Sequence, residues 1–228
     1  MDTQNLLIAL LLYSLLEGIF RISVLAHFVG WRYASWRLAS PHMSMFISPG
    51  YWLAKNCKKV DPPGLRRIAL RARLIANYNI WNLLLSVIVF AAVLATDIQG
   101  YVPYRITVAL IFWRAVSRSF EIAIAFGNDI TESLNASRLS NGARMKLALR
   151  SYFEIFFFSA ALYAVSSDKL AGLYQSMLAS LYVGTLTNVP YAAERLPFPH
   201  LVFLQVFATL SLIVLSIAGY LGKIKRTK

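Results

Sequence analysis

The sequence predicts an all-α integral membrane protein with five transmembrane helices and one re-entrant pore helix and loop. Of the 228 residues, 58% are hydrophobic and only 14% are charged, and the mean hydropathy is +0.57. This combination is typical of membrane proteins. Five apolar runs are long enough to cross a bilayer, which takes roughly 20 residues. A further apolar run, Gly172–Gly184, is too short to cross, and we expect it to enter the membrane and return.

The first region, residues 1–146, holds three predicted spans, Leu6–Phe28, Ile75–Thr96 and Tyr104–Phe126. A long connector at 29–73 separates the first two, and it interleaves Lys and Arg with Trp and Tyr. Such a segment is expected to lie on the anionic cytoplasmic leaflet. The sequence pI is near 10.1, but because the basic residues lie between spans we expect them to set topology, with no nucleic-acid partner.

Five charged residues fall inside predicted spans: Glu17, Arg21, Arg114, Arg118 and Glu121. Such charges are costly and normally face a partner or water. Glu17 and Arg21 are spaced to pair on one helix face, and a role in gating or conduction is the alternative. For Arg114 and Arg118 we expect a buried pair with Glu17 or Glu121, because the regular row of arginines that a voltage sensor needs is missing.

The second region, residues 147–228, is predicted to form a two-helix pore unit. Its outer helix is Leu147–Val165, with Arg150 and Glu154 spaced to pair near its start. The short pore helix at 172–184 is followed by a filter-like loop at 185–191, and an inner helix spans 199–221. Pro190 interrupts helical structure, and non-helical backbone at membrane depth is tolerated only inside protein or beside water.

The distribution of basic residues predicts the orientation. If the short segment does not cross, most of the 23 Lys and Arg residues lie on one side, including those of the connector and of Lys223–Lys228. The outer segments then keep only Arg105, Lys169 and Arg195. Since cytoplasmic loops are rich in Lys and Arg, we expect a cell-membrane protein with its N-terminus outside and its C-terminus in the cytoplasm.

Leu173–Gly222 resembles the pore and inner helix of potassium-channel-like proteins. The shared features are a short helix ending in Thr-Leu-Thr, a filter loop and a long helix. The family's filter reads Thr-Val-Gly-Tyr-Gly; the matching residues here run from Asn188 to Ala192, and both glycines are absent. The resemblance implies a homotetrameric channel subunit that passes monovalent cations with weak or no potassium selectivity. It implies that five residues surround the narrowest passage: Thr187, Asn188, Val189, Pro190 and Tyr191.

The last predicted span carries one mildly polar stripe on an otherwise apolar helix. At 100° per residue, its members fall on one face: Gln205, Thr209, Leu212, Ser216 and Gly219. We interpret the stripe as pore-lining. Helix packing through small and polar residues is the alternative.

Two further functions remain open. The first is a non-conducting membrane scaffold or partner-binding subunit that keeps a pore-like fold, which Pro190 and the missing glycines favour. The second is an intramembrane enzyme, which would gather Glu17, Arg21, Arg114 and Glu121 in a polar pocket. We expect no enzyme, cofactor or metal site, because the three His residues are isolated, Cys57 has no second Cys, and no nucleotide-binding motif is present.

Overall fold

The computed structural model of the protein describes residues 3–29, 65–95, 104–131 and 141–224. These residues form helices joined by short turns, and no strand occurs among them. The helices are α1 (Thr3–Val29), α2 (Leu65–Ala95), α3 (Tyr104–Thr131), α4 (Asn141–Ser166), α5 (Leu173–Gly184), α6 (Val189–Ala193) and α7 (His200–Ile224), with a 3₁₀ turn at Asp168–Leu170. The predicted all-α class is confirmed for this part of the chain.

Two stretches of the described helices are long and apolar enough to cross a membrane, Ile75–Ala95 in α2 and Gly142–Ser166 in α4. Two more stretches are apolar but shorter, Leu7–Phe20 in α1 and His200–Val214 in α7. Together with the composition, these helices indicate a membrane location.

Most of the predicted basic connector (30–64) lies outside the described residues, as do residues 96–103, 132–140 and 225–228. Two helices extend well beyond the predicted spans. Helix α3 continues to Thr131 instead of ending at Phe126, and α4 begins at Asn141 instead of Leu147. The added turn of α4 contains Ala143, Arg144, Met145 and Lys146, which are all good helix formers.

Helices α2 and α4 pack side by side and run in the same direction. The Asn79 side-chain amide donates to the Ser151 hydroxyl at 2.9 Å. Further along both helices, the rings of Phe90 and Phe157 lie 6.0 Å apart. Residue numbers therefore rise together along this pair of helices.

Helix α3 runs against α4. Arg118 bonds Glu154 at 2.6 Å, whereas Arg114, one turn earlier, lies over the ring of Phe158, one turn later. Helix α1 packs on α3, and α7 packs on both α3 and α4. Helices α1, α4 and α7 therefore surround α3, and they bury its two arginines, Arg114 and Arg118.

The short helix α5 packs into the bundle through small residues. Its buried face consists of Ser176, Ala179, Ser180, Val183 and Gly184. The Ser180 hydroxyl donates to the Phe156 carbonyl at 2.8 Å, which fixes α5 against α4. At Gly184, a Cβ atom would lie 3.0 Å from the Tyr152 hydroxyl. Small side chains let helices approach closely without a penalty in packing.

The two ends of the segment that contains α5 and α6 meet each other. The Ser167 hydroxyl, just after α4, donates to the Arg195 carbonyl, just after α6, at 2.6 Å. Helix α5 has 12 residues, which corresponds to a length of about 18 Å. The chain therefore leaves the end of α4, runs along it for that distance and comes back to its starting level before α7 begins.

Candidate functional site

The helix predicted over Gly172–Gly184 is confirmed as α5, and local hydrogen bonds end it. Leu186 N donates to Val183 O at 3.2 Å, and Thr187 N donates to Tyr182 O at 3.0 Å. This pair of bonds is the Schellman motif, which satisfies the last carbonyls of a helix. Its left-handed position usually holds glycine, but here Leu186 has a φ of 59°. The chain thus reverses at Leu186.

The turn that follows is polar and exposed. The Thr185 hydroxyl lies 2.7 Å from the Leu181 carbonyl and 2.9 Å from the Thr187 hydroxyl. Thr185, Leu186, Thr187 and Asn188 are all exposed on the single chain. The turn therefore presents polar groups that neighbouring helices of the chain do not cover.

The filter-like loop predicted at 185–191 is non-helical only as far as Asn188, because helix α6 occupies Val189–Ala193. Asn188 caps this helix, because its side-chain oxygen accepts from Tyr191 N at 3.3 Å. Pro190 stands in the first turn, where its missing N–H costs nothing. An Asn followed two residues later by Pro is a signal for the start of a helix. The prediction treated this proline as a helix breaker only.

Three carbonyl groups of this segment are engaged within the chain. Pro190 O accepts from Glu194 N at 3.0 Å, and Ala192 O accepts from Leu196 N at 3.1 Å. The Tyr191 carbonyl accepts from the Arg195 guanidinium at 2.9 Å, which also lies 4.0 Å from the centre of the Tyr191 ring. A carbonyl-lined filter needs these oxygens to face the ion, and here they face helix donors and an arginine.

The predicted stripe of α7 lies inside the chain. Gln205 is 2% exposed, Thr209 1% and Leu212 3%. Gln205 Nε2 donates to the Ser180 carbonyl at 2.8 Å, and Gln205 Oε1 accepts from the Tyr163 hydroxyl at 2.7 Å. These contacts favour the packing interpretation for the first half of the stripe. Ser216 and Gly219 belong to α7, but their side chains are outside the described part.

The first arginine of α3 is buried in a polar cluster. Arg114 is 6% exposed and forms an ion pair with Glu17 of α1. The nitrogen that pairs with Glu17 also donates to the Tyr13 hydroxyl at 3.4 Å, and the other terminal nitrogen donates to the Asn82 side-chain oxygen at 2.6 Å. The expected pairing of Arg114 with a buried glutamate is confirmed. Arg21, the predicted partner of Glu17, lies on α1, but its side chain is not among those that the structure describes.

The second arginine of α3 holds two carboxylates. Arg118 donates two bonds of 2.6 Å to the two oxygens of Glu154 and pairs with Glu121 at 2.6 Å. The pair with Glu121 was expected. The predicted pairing of Glu154 with Arg150 was wrong, because the Glu154 carboxylate is fully buried and both of its oxygens are taken by Arg118. Bidentate pairing of this kind is the strongest arrangement for a buried arginine and carboxylate.

The space beside this ion pair is very small. Arg118, Ser119, Glu154, Ser159 and Gln205 contribute its polar lining. The volume open to the centre of a water molecule is about 10 Å³, which is about enough for one water. No group of three or more His, Cys, Asp or Glu in that part of the chain is arranged to hold a metal ion.

The chain matches no model of a known protein family. No curated protein and no solved structure is similar to it either. The function therefore has to be inferred from the geometry above.

Three features of the site were missed in the sequence. The cap at Asn188 had a readable signal, the following Pro190. The bond between Tyr163 and Gln205 had none, because the two residues lie on different helices and far apart in sequence. The pairing of Arg114 with Asn82 was signalled only by the general rule that buried amides bond between helices.

Proposed function

We propose that the protein is a multi-span membrane subunit that does not conduct ions and that acts as a scaffold or binds a membrane partner. The observation that carries this proposal is helix α6. Its Pro190 and Ala192 carbonyls accept helical hydrogen bonds, and the Tyr191 carbonyl accepts from Arg195. An ion that gives up its hydration shell needs oxygens free to replace the lost waters.

In this proposal, α1, α2, α3, α4 and α7 cross the bilayer and residues 167–199 form a re-entrant hairpin. The bond between Ser167 and Arg195 supports this arrangement, since it joins the two ends of the hairpin. The length of α5 supports it as well, because about 18 Å is well short of the roughly 30 Å hydrocarbon core.

The exposed turn Thr185–Asn188 supports the partner-binding role. At the depth given by α5, polar backbone is tolerated only against protein or water. A second chain that covers this turn would satisfy it. A cation channel is the second candidate function, and this same turn favours it, because water in a central passage would also solvate Thr187 and Asn188.

Recordings from planar bilayers separate these functions. The purified protein is expected to give no unitary current in K⁺ or in Na⁺ solution, whereas a potassium channel reconstituted in the same way conducts in the K⁺ solution. A cation current that Asn188→Lys abolishes would refute the proposal, because residue 188 would then line the passage.

Thiol labelling tests the hairpin independently of conduction. In a Cys57→Ser background, Asp168→Cys and Pro197→Cys are expected to react from the same side of sealed vesicles. Lys146→Cys, at the other end of α4, is expected to react from the opposite side. Labelling of positions 168 and 197 from opposite sides would show that the segment crosses the bilayer.

A further inference from the structure

Helices α2 and α4 bring basic residues to one end of the bundle. Because the two helices are parallel and Asn79 contacts Ser151, positions six residues earlier on each lie at one level, at Arg73 and Met145. Lys146 and Arg150 follow on α4 within the next turn and a half. Arg66, Arg67 and Arg71 precede Arg73 on α2. This end of the bundle is therefore strongly positive.

Three of the basic side chains at this end are accessible. Arg73 and Lys146 are exposed, and Arg150 is half-buried. Glu121 and Glu154 do not neutralise them, because both carboxylates are bonded to Arg118. Between these two glutamates and the basic end of the bundle, Asp129 is the one acidic residue on the described helices. An excess of positive charge remains.

An exposed apolar stripe adjoins the basic residues. Leu149 and Phe153 lie three and seven positions after Lys146, on the same face of α4, and are 56% and 43% exposed. A positive group followed along the helix by an apolar surface complements a ligand with an anionic head and an apolar tail. A free phosphate or a nucleic acid would leave the apolar stripe unused.

We propose that Arg73, Lys146 and Arg150 bind the headgroup phosphate of an anionic phospholipid, with an acyl chain along Leu149 and Phe153. Basic sites between transmembrane helices on the cytoplasmic side are suited to such headgroups. The site rests on the membrane location of the chain and is independent of whether the chain conducts ions. A current in the bilayer recordings would leave it standing.

Native mass spectrometry of the full chain tests the site. The protein is released from detergent in the presence of equal amounts of phosphatidylglycerol and phosphatidylcholine with identical acyl chains. Preferential retention of phosphatidylglycerol is expected. The double variant Lys146→Gln/Arg150→Gln is expected to weaken that retention about 25-fold, roughly fivefold for each charge. Lys169→Gln removes an exposed lysine at the opposite end and is expected to change nothing.

Competition separates the lipid from other anions. Neither inorganic phosphate nor a short DNA duplex is expected to displace the bound phosphatidylglycerol, and displacement by either one would overturn the proposal. Equal retention of the two lipids would overturn it, as would equal losses in the double variant and in Lys169→Gln.

The charge-retaining variant Lys146→Arg/Arg150→Lys guards against misfolding. It is expected to keep both its helical circular dichroism and its preference for phosphatidylglycerol. If it stays folded but loses the preference, the proposed site is wrong even where the glutamine variant fails to fold.

Discussion

Replacing Gln205 by Leu is expected to loosen α5 from the bundle. The Gln205 side chain donates to the Ser180 carbonyl at 2.8 Å and lies 3.1 Å from the Ser180 hydroxyl. It also accepts from the Tyr163 hydroxyl at 2.7 Å. Leucine has a similar size and no hydrogen-bonding group, so the change removes all three bonds with little change in volume.

The magnitude follows from these three bonds. Hydrogen bonds between helices in membranes contribute about 0.6 kcal/mol each on average, so their loss costs about 2 kcal/mol. The hydroxyl of Tyr163, which is fully buried, is left without its acceptor, at a cost of about 1 kcal/mol. The expected loss in the free energy of unfolding is therefore about 2–3 kcal/mol. That corresponds to a shift of roughly 30- to 150-fold in the unfolding equilibrium.

Steric trapping in micelles measures this free energy. Thr209→Val is the matched control, since Thr209 lies one turn further along α7 and is equally buried. Its hydroxyl has no hydrogen-bond partner among the described residues, so its removal is expected to be neutral or to stabilise by up to about 1 kcal/mol. A loss below about 0.5 kcal/mol for Gln205→Leu, or an equal loss for both variants, would refute the packing role of Gln205.

Two other substitutions test the charge pair and the turn. Arg118→Gln is expected to destabilise the fold by about 3–5 kcal/mol, because Glu154 would be left buried without a counter-charge. Arg150→Gln is expected to cost less than about 0.5 kcal/mol in the same unfolding assay. If the two variants lost similar amounts of stability, the pairing of Glu154 with Arg118 would be contradicted. Leu186→Gly is expected to stabilise by about 0.5–1 kcal/mol, because it relieves the positive φ. The control is Leu181→Gly, at an exposed position inside α5, which is expected to cost about 1 kcal/mol in melting experiments. If Leu186→Gly also destabilised the protein, the backbone strain inferred at Leu186 would be refuted.

The helices of the bundle could be predicted because each follows from a local signal. The short helix α5 was placed within one residue, since an apolar run of fixed length and the polar residues after it are local properties. The pairing of the arginines of α3 with glutamates was predictable for a different reason. A buried charge needs a counter-charge, and the spans offered few glutamates to choose from.

The choice among partners could not be predicted. Spacing along one helix favoured Glu154 with Arg150, but helix packing placed the Arg118 guanidinium against both carboxylate oxygens of Glu154. Local spacing contributes only about 0.2–0.5 kcal/mol per pair, and a bidentate pair in a buried site outweighs it. The same limit applies to Gln205, since periodicity identified its face of α7 but not the helices which that face meets.

The end of α5 explains how a short helix can stop inside the bundle. Its final carbonyls are satisfied locally, at Tyr182 and Val183 by the Schellman bonds and at Leu181 by Thr185. Neither an ion nor water is needed for those groups. The side chains of Thr187 and Asn188 remain exposed. In the proposed re-entrant arrangement this turn would lie at membrane depth, where such exposure is tolerated only against water or protein. The Pro190 and Tyr191 carbonyls are already engaged within the chain. A protein partner that covers the exposed turn is compatible with this engagement, whereas an ion passage would need those oxygens to be free.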